Sequence, residues 1–400
     1  MMKILFLFLG CDYLSVLAEG SVAVTNLDVH INDPRIDPIV DFLIEHQPPQ
    51  DAGFRHGVTL PYLQKNARLA LQSKDLLETL GLRYYSEEIF LNNVAPYAVF
   101  TEKRTDFRQY FFQNLRGLVL LELGTATNNP SSSSRRDQYL SLITAVNEHV
   151  WSIFRNSITN EAQEVRFISA PPNEINNYSI DEIVNGTHTN GIPGSSCTGM
   201  AIYMTAAFRS IGLPTRAVGT PHWNRPKREC PEGDQSPECG NHNWVEVWVP
   251  SESRTTDSDD AATDDDDDEM GEWVFLSPGD GAPINSGWFA PVPLKYQVFA
   301  GGNSESKNAL HAVYATSWKN YMDEDSGKSM AGWNKEERNR DVPADYFIME
   351  WQSSRDAAIN AWDVTRRYSA NLVGGDIERM SEVEIENERQ AKDDEEETYA

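Results

Sequence analysis

The sequence predicts an α+β protein in which a helical N-terminal layer precedes a sheet-bearing core. From about Asp33 to Phe154 apolar residues return at the helical period. Between Glu164 and Val249 the texture changes to short alternating runs set among Gly- and Asn-rich loops. The chain has 400 residues, 40% of them hydrophobic, with ten Trp, enough apolar surface for a large core.

In the first region Tyr139, Leu142, Ile143, Val146, Val150, Ile153 and Phe154 keep to one helical face, and Ser134 with Asp137 three residues later reads as a capping box. Leu60 to Leu80 and Ser86 to Leu118 read as further helices, and the stretch Asn128-Asn-Pro-Ser-Ser-Ser-Ser as a linker. Val165 to Ile168 reads as a short strand. The helix over Thr198 to Ile211 directs Met200, Ala201, Met204, Ala207, Phe208 and Ile211 inward, and Gly212 and Pro214 end it. Thr215 to Gly219 follows as a strand. Asn243 to Val249 and Glu272 to Leu276 form an antiparallel pair across an acidic insertion. A helix is expected near Pro343 to Arg367. No internal repeat is visible.

These elements divide the chain into 1–18 as a signal segment, 19–155 as the helical region, 156–300 as the core, 301–375 as an extension and 376–400 as a disordered acidic tail. The first segment has one Lys, an apolar run broken by Cys11 and Asp12, and Val16-Leu17-Ala18 as a small-residue cleavage site, the form of a secretory signal. It is too short to span a bilayer, and no later stretch holds eighteen uninterrupted apolar residues. A secreted protein without a membrane span is therefore expected.

The net charge of −27 argues against nucleic acid or an anionic membrane as partner, since either would be repelled by most of the surface. Much of that charge lies in Asp257 to Glu269 and Glu382 to Glu397, which read as solvated runs. Once Cys11 leaves with the signal, Cys197, Cys230 and Cys239 remain. Cys230 and Cys239 can close a short disulfide loop, leaving Cys197 as the odd thiol. Asn177-Tyr-Ser and Asn185-Gly-Thr are potential glycosylation acceptors in a eukaryotic host.

Cys197 stands where a helix begins. Unpaired N–H groups and the positive dipole end lower a thiol's pKa there, and the same groups can bind an oxyanion. His242, 45 residues later, opens the strand His-Asn-Trp-Val-Glu-Val-Trp and supplies the imidazole. Asp280, after the next strand, is the carboxylate expected to orient that ring; Glu246 shares the His242 face but lies too far along the strand. His222, Cys230, Cys239 and His242 make a poor zinc set because Cys-x8-Cys is wide, and zinc would occupy the proposed base. His188 and His222 read as loop residues, His222 being the reserve base. Asp264 to Asp268 lacks the Gly-centred alternation of a calcium loop. No metal and no cofactor are expected.

The segments Ser196-Cys-Thr-Gly, Arg209-Ser-Ile-Gly-Leu-Pro-Thr-Arg-Ala-Val-Gly-Thr-Pro-His-Trp and Gly240-Asn-His-Asn-Trp-Val-Glu-Val-Trp, in this order, resemble the transglutaminase-like superfamily. That resemblance implies a papain-like thiol fold, with Cys leading a helix and His and Asp on adjacent strands. The stretch Trp273-Val-Phe-Leu-Ser-Pro-Gly-Asp280-Gly, with Asn285-Ser-Gly-Trp-Phe289 after it, is similar to a secreted subgroup with Trp-x-Phe-Leu-Gly-Ala-x-Glu-Pro, Asp standing here where Glu is expected. The motif-bearing likeness covers Val165 to Phe289, with weaker similarity at Ala95-Pro-Tyr and His311-Ala-Val-Tyr-Ala-Thr.

The resemblance implies acyl chemistry on amides of a protein, peptide or glycopeptide substrate: hydrolysis, transfer to an amine, or deglycosylation. Trp223 and Trp244 would wall the substrate groove; Trp151 is the nearest Trp upstream of the thiol. The rival expectation is a non-catalytic binding protein that keeps the fold.

Overall fold

The computed structural model describes residues 29–30, 32–48, 51–55, 57–100, 102–127, 134–154, 164–168, 179–187, 191–220, 223, 239–251, 271–290, 293–294, 313–318, 322–323, 328–329, 360–364 and 367–368. The signal segment, the 128–133 linker, both acidic runs, Asn177, His188, His222, Cys230 and the 343–359 part of the expected last helix lie outside them.

Five helices build the N-terminal layer: α1 (Ile36–Glu45), α2 (Leu60–Thr79), α3 (Glu87–Asn93), α4 (Arg108–Thr127) and α5 (Arg135–His149). Their starts are written locally. Thr59 caps α2 ahead of Pro61, Ser86 caps α3, and Ser134 with Asp137 forms the expected capping box of α5. The single helical stretch read over Ser86 to Leu118 is in fact two helices. Between them the chain passes Pro96, and the Glu102 carboxylate accepts the N–H groups of Val99 and Phe100 at 2.8 and 2.7 Å. Those N–H groups need a side-chain partner because helix does not supply one.

After α5 come β1 (Arg166–Phe167), α6 (Ile180–Asn185), β2 (Gly194–Ser195) and α7 (Cys197–Ser210). β1 and β2 pair in parallel, Phe167 opposite Ser195, so the chain is fixed just before α7 begins. Gly212, at φ 86°, turns the chain out of α7; a Cβ there would lie 2.8 Å from the Ser73 carbonyl oxygen. All residues from Thr198 to Ser210 are buried, not only the face read as inward. A helix surrounded on all sides is a core helix, and here α4 and α2 cover one side while the sheet covers the other.

The sheet is antiparallel, in the order β5–β4–β3–β6–β9, from β3 (Thr215–Thr220), β4 (His242–Pro250), β5 (Gly271–Leu276), β6 (Tyr314–Ser317) and β9 (Asn360–Asp363); β7 (Met322–Asp323) and β8 (Lys328–Ser329) form a separate hairpin. The expected β4–β5 pairing is present, Val247 opposite Val274. Two strands come from beyond residue 300, in the segment read as an extension. Residues 360–363, expected to be helical, are a strand because Trp362 and its neighbours pair with Ala315 and the rest of β6.

Strand alternation divides the core. Ala217, Val245, Val247, Val274 and Leu276 face α7 and the helical layer. Val218, Trp244, Phe275 and Ala315 face a second cluster with Trp223, Phe289, Leu294 and Tyr368. No helix among the described residues is long and apolar enough to cross a membrane.

Candidate active site

Cys197 is the first residue of α7. Ser196 before it is extended, at φ −66° and ψ 176°, and its side chain makes no cap hydrogen bond. The first N–H groups of α7 are thus left to the thiol and to whatever occupies the space beside it. Gly199, one turn in, admits Ser195: a Cβ there would lie 1.9 Å from the Ser195 Oγ. This close approach seats the β2 end against the helix.

β4 delivers the next residues. His242 pairs with Thr220 and Asn243 with Gly219 on β3, so the two side chains leave opposite faces of the sheet. Asn243 takes the α7 face. Its Nδ2 donates to the Thr198 Oγ1 at 2.8 Å and lies 3.9 Å from the Cys197 Sγ. Cys197 is a free thiol and partly exposed, yet its sulfur is enclosed enough that burial pushes the pKa up. The backbone N–H and side-chain amide of Asn243, then the N–H and hydroxyl of Thr198, pull it back down.

His242 takes the aromatic face. Its ring centroid lies 4.7 Å from Trp288, 4.8 Å from Phe289, 5.8 Å from Trp244 and 6.3 Å from Trp223. Burial among these rings pushes the imidazole down to about 3, and its Nε2 has no hydrogen-bond partner. Trp223 and Trp244, read as groove walls, are the inner rings of this stack, both 0% exposed, whereas Trp288 is 40% exposed. Phe289 lies against both inner rings, 6.0 and 4.7 Å away.

Below His242 on the same face, Glu246 is buried and charge-paired. Its Oε2 accepts from Arg216 Nε at 2.7 Å and from Arg367 Nη1 at 2.9 Å. Its Oε1 accepts the Tyr368 hydroxyl at 2.7 Å, and that hydroxyl accepts the Trp244 indole N–H at 2.7 Å. The aromatic stack is thereby tied to the C-terminal part of the chain.

Asp280 lies at the end of the turn after β5. It is exposed, between Gly279 and Gly281 at φ 82° and 69°, and its Oδ1 accepts the Ala282 N–H at 2.8 Å. The carboxylate therefore shapes its own turn, an Asx geometry, and the orphaned Nε2 of His242 does not bond to it. A cleft of about 800 Å³ opens beside this turn, lined by Gly279, Gly281, Ile284, Arg166, Phe167 and Trp151 among others. Trp151 also stacks on Tyr203 of α7, with centroids 5.4 Å apart.

The structure thus brings Cys197 to the N-terminal end of β4, where His242 and Asn243 sit side by side, and leaves Asp280 in a solvent-facing turn. Asn243 is the residue that sequence reasoning passed over. The alternation in His-Asn-Trp-Val was the available signal, since it states that only one of the two neighbours can face the helix. Nothing local pointed to Tyr368. Cys239 is disulfide-bonded. Among the described residues no group of three or more His, Cys, Asp or Glu is placed to hold a metal ion.

Residues 153–278 match the family model of the transglutaminase-like superfamily, and the chain carries a domain of that superfamily there. No curated protein and no solved structure matches the chain.

Proposed function

We propose, from the transglutaminase-like domain at residues 153–278, that the protein performs thiol-dependent acyl transfer or amide hydrolysis on a protein, peptide or glycopeptide. The observation that carries this reading is a free, partly exposed thiol at the uncapped start of α7, with amide donors aimed at its sulfur. Cys197 is the nucleophile and His242 the proton carrier. The sulfur bonds to the carbonyl carbon as its proton passes to the imidazole, and the oxygen's developing charge faces the free N–H groups of α7. The imidazolium then protonates the leaving amine as the C–N bond breaks. Water or a second amine attacks the thioester, returning a proton through His242 to the sulfur.

This cycle requires His242 to leave the aromatic stack and reach the thiol. Asp280 is the carboxylate assigned to steady the ring once it has moved. The test is incorporation of a primary amine into glutamine-containing proteins, with ammonia release followed in parallel. Incorporation lost in Cys197→Ala identifies a transferase. Ammonia or peptide release without incorporation identifies a hydrolase, and neither in the folded wild type contradicts the reading.

A second reading, a binding protein that keeps the fold, is favoured by one observation: His242 rests neutral among aromatic rings, with Nε2 unpaired. Protection of the Trp fluorescence by a bound peptide, without turnover, is its signature. Secretion belongs with the proposed function, because Met1–Ala18 has the form of a signal and a disulfide at Cys239 suits an oxidising compartment. N-terminal sequencing of protein from the culture medium tests it, residue 19 being the expected start.

A further inference from the structure

Around Cys197 the buried polar groups are incompletely satisfied. The Oγ atoms of Ser195 and Ser196 and the Oδ1 of Asn243 have no hydrogen-bond partner, although these residues are 1%, 8% and 2% exposed. A buried acceptor without a donor costs about 1–3 kcal/mol, so these groups can take a hydrogen bond from water or from a group brought to the thiol. Asn243 is the member that also touches the sulfur. Its Nδ2 is fixed at 2.8 Å on Thr198 Oγ1, which points the amide at the start of α7, 3.9 Å from Sγ. Its backbone N–H is directed at the same sulfur.

Beside its burial, the groups that act most strongly on the thiol are neutral: Asn243 and Thr198. Among the described residues, the titratable side chain beside Asn243 on β4 is His242, and it faces the opposite side of the sheet. From this placement we propose that Asn243 is a catalytic residue, whose two N–H donors hold the Cys197 sulfur as it ionises. Its fixed dipoles favour the charge that forms on the sulfur when the proton leaves for His242. This rests on the reading of Cys197 as the nucleophile. It adds a residue one position beyond the expected base, on the other face of its strand.

The test uses the full chain and iodoacetamide, which reports thiolate without requiring the natural substrate. The rate of Cys197 alkylation, followed by peptide mass, is measured against pH for the wild type, Asn243→Ala and Asn243→Asp. The expected result is a midpoint moved upward by about one pH unit in Asn243→Ala, and further in Asn243→Asp, where a negative carboxylate replaces the amide. Asn243→Asp keeps the shape of the side chain, so it carries the test if the alanine variant does not fold. A midpoint within about 0.2 unit of the wild type in folded Asn243→Asp overturns the proposal, because a charge at hydrogen-bond distance from the sulfur must register.

The two readings fail separately. A shifted midpoint in a protein that never acylates keeps Asn243 as a hydrogen-bond partner of the sulfur but removes the acyl chemistry, and its catalytic role with it. Acylation with an unshifted midpoint does the reverse.

Discussion

Two clusters of buried polar side chains meet α7, one near each end, and they differ in how fully they are bonded. At the C-terminal end Arg108 and Arg209 lie side by side and reach backbone and amide oxygens. Arg108 donates to Asn66 Oδ1 at 2.5 Å, to the Pro96 and Arg209 carbonyls at 2.7 and 3.1 Å, and to that of Val94. Arg209 donates to the carbonyls of Thr215, Asn93 and Ala98 at 2.9, 3.1 and 2.7 Å. Burial pushes both guanidinium groups down to about 9, with Arg108 adding to the effect on Arg209.

At the N-terminal end Ser195, Ser196 and Asn243 leave acceptors unbonded, and His242 across the sheet leaves Nε2 unbonded. The difference separates architecture from function. The many bonds of the arginines hold the helical layer, α7 and β3 in one arrangement, whereas the groups near Cys197 keep acceptors that a reacting group can use.

The largest effect should come from the satisfied cluster. Arg108→Met strands four acceptors and is expected to cost about 3 kcal/mol or more, read as a lower urea midpoint. If it costs less than about 1 kcal/mol, the arginine cluster is not the structural half of the pair. Tyr368→Phe is the next test. It removes the hydroxyl that joins Trp244 to Glu246 and should cost about 1–3 kcal/mol, with a raised mobility of the Trp244 ring visible by fluorescence anisotropy.

The unsatisfied cluster should behave in the opposite way. His242→Phe is expected to keep stability at pH 7 within about 1 kcal/mol, since it replaces an unpaired ring nitrogen by apolar edge, while it removes activity. Acid should separate the two proteins further. The folded imidazole is pushed down to about 3 from 6.5, so the unfolded chain binds that proton first as pH falls. The stability tied to it is complete above about pH 6.5 and is lost progressively toward about 3, which His242→Phe should abolish. An equal acid sensitivity in both, by urea melts at pH 7 and 5, would remove His242 from the account of acid instability.

The smallest expected effect is at Asp280. Asp280→Asn keeps an acceptor for the Ala282 N–H and should leave stability unchanged within about 0.5 kcal/mol. Its effect on turnover separates a turn residue from a carboxylate recruited when the ring moves.

The parts of this molecule that were legible in the sequence are those written in nearest neighbours. The capping box at Ser134 and Asp137, the start of α7 at Cys197 and the β4–β5 ladder each follow from short-range pattern. β6 and β9 were not, because β6 pairs with β3 across the distance from Val218 to Ala315 and β9 in turn pairs with β6, Tyr314 opposite Asp363, separations that no local window reports. At the site, Cys197 and the β4 end could be named. Which of His242 and Asn243 faces the thiol is set by where β4 lies against α7, not by either residue alone. Asp280 was read as a strand-end carboxylate, but flanking glycines with positive φ curl it back on its own backbone.

If Cys197 attacks carbonyl carbon with help from His242, the rate at which a thiol-reactive amide probe labels Cys197 will show it, compared with a free thiol and with His242→Ala at the same pH. Selective labelling faster than the free thiol, lost in the His242 variant, is the predicted result. Labelling no faster than the free thiol, and indifferent to His242, would contradict it.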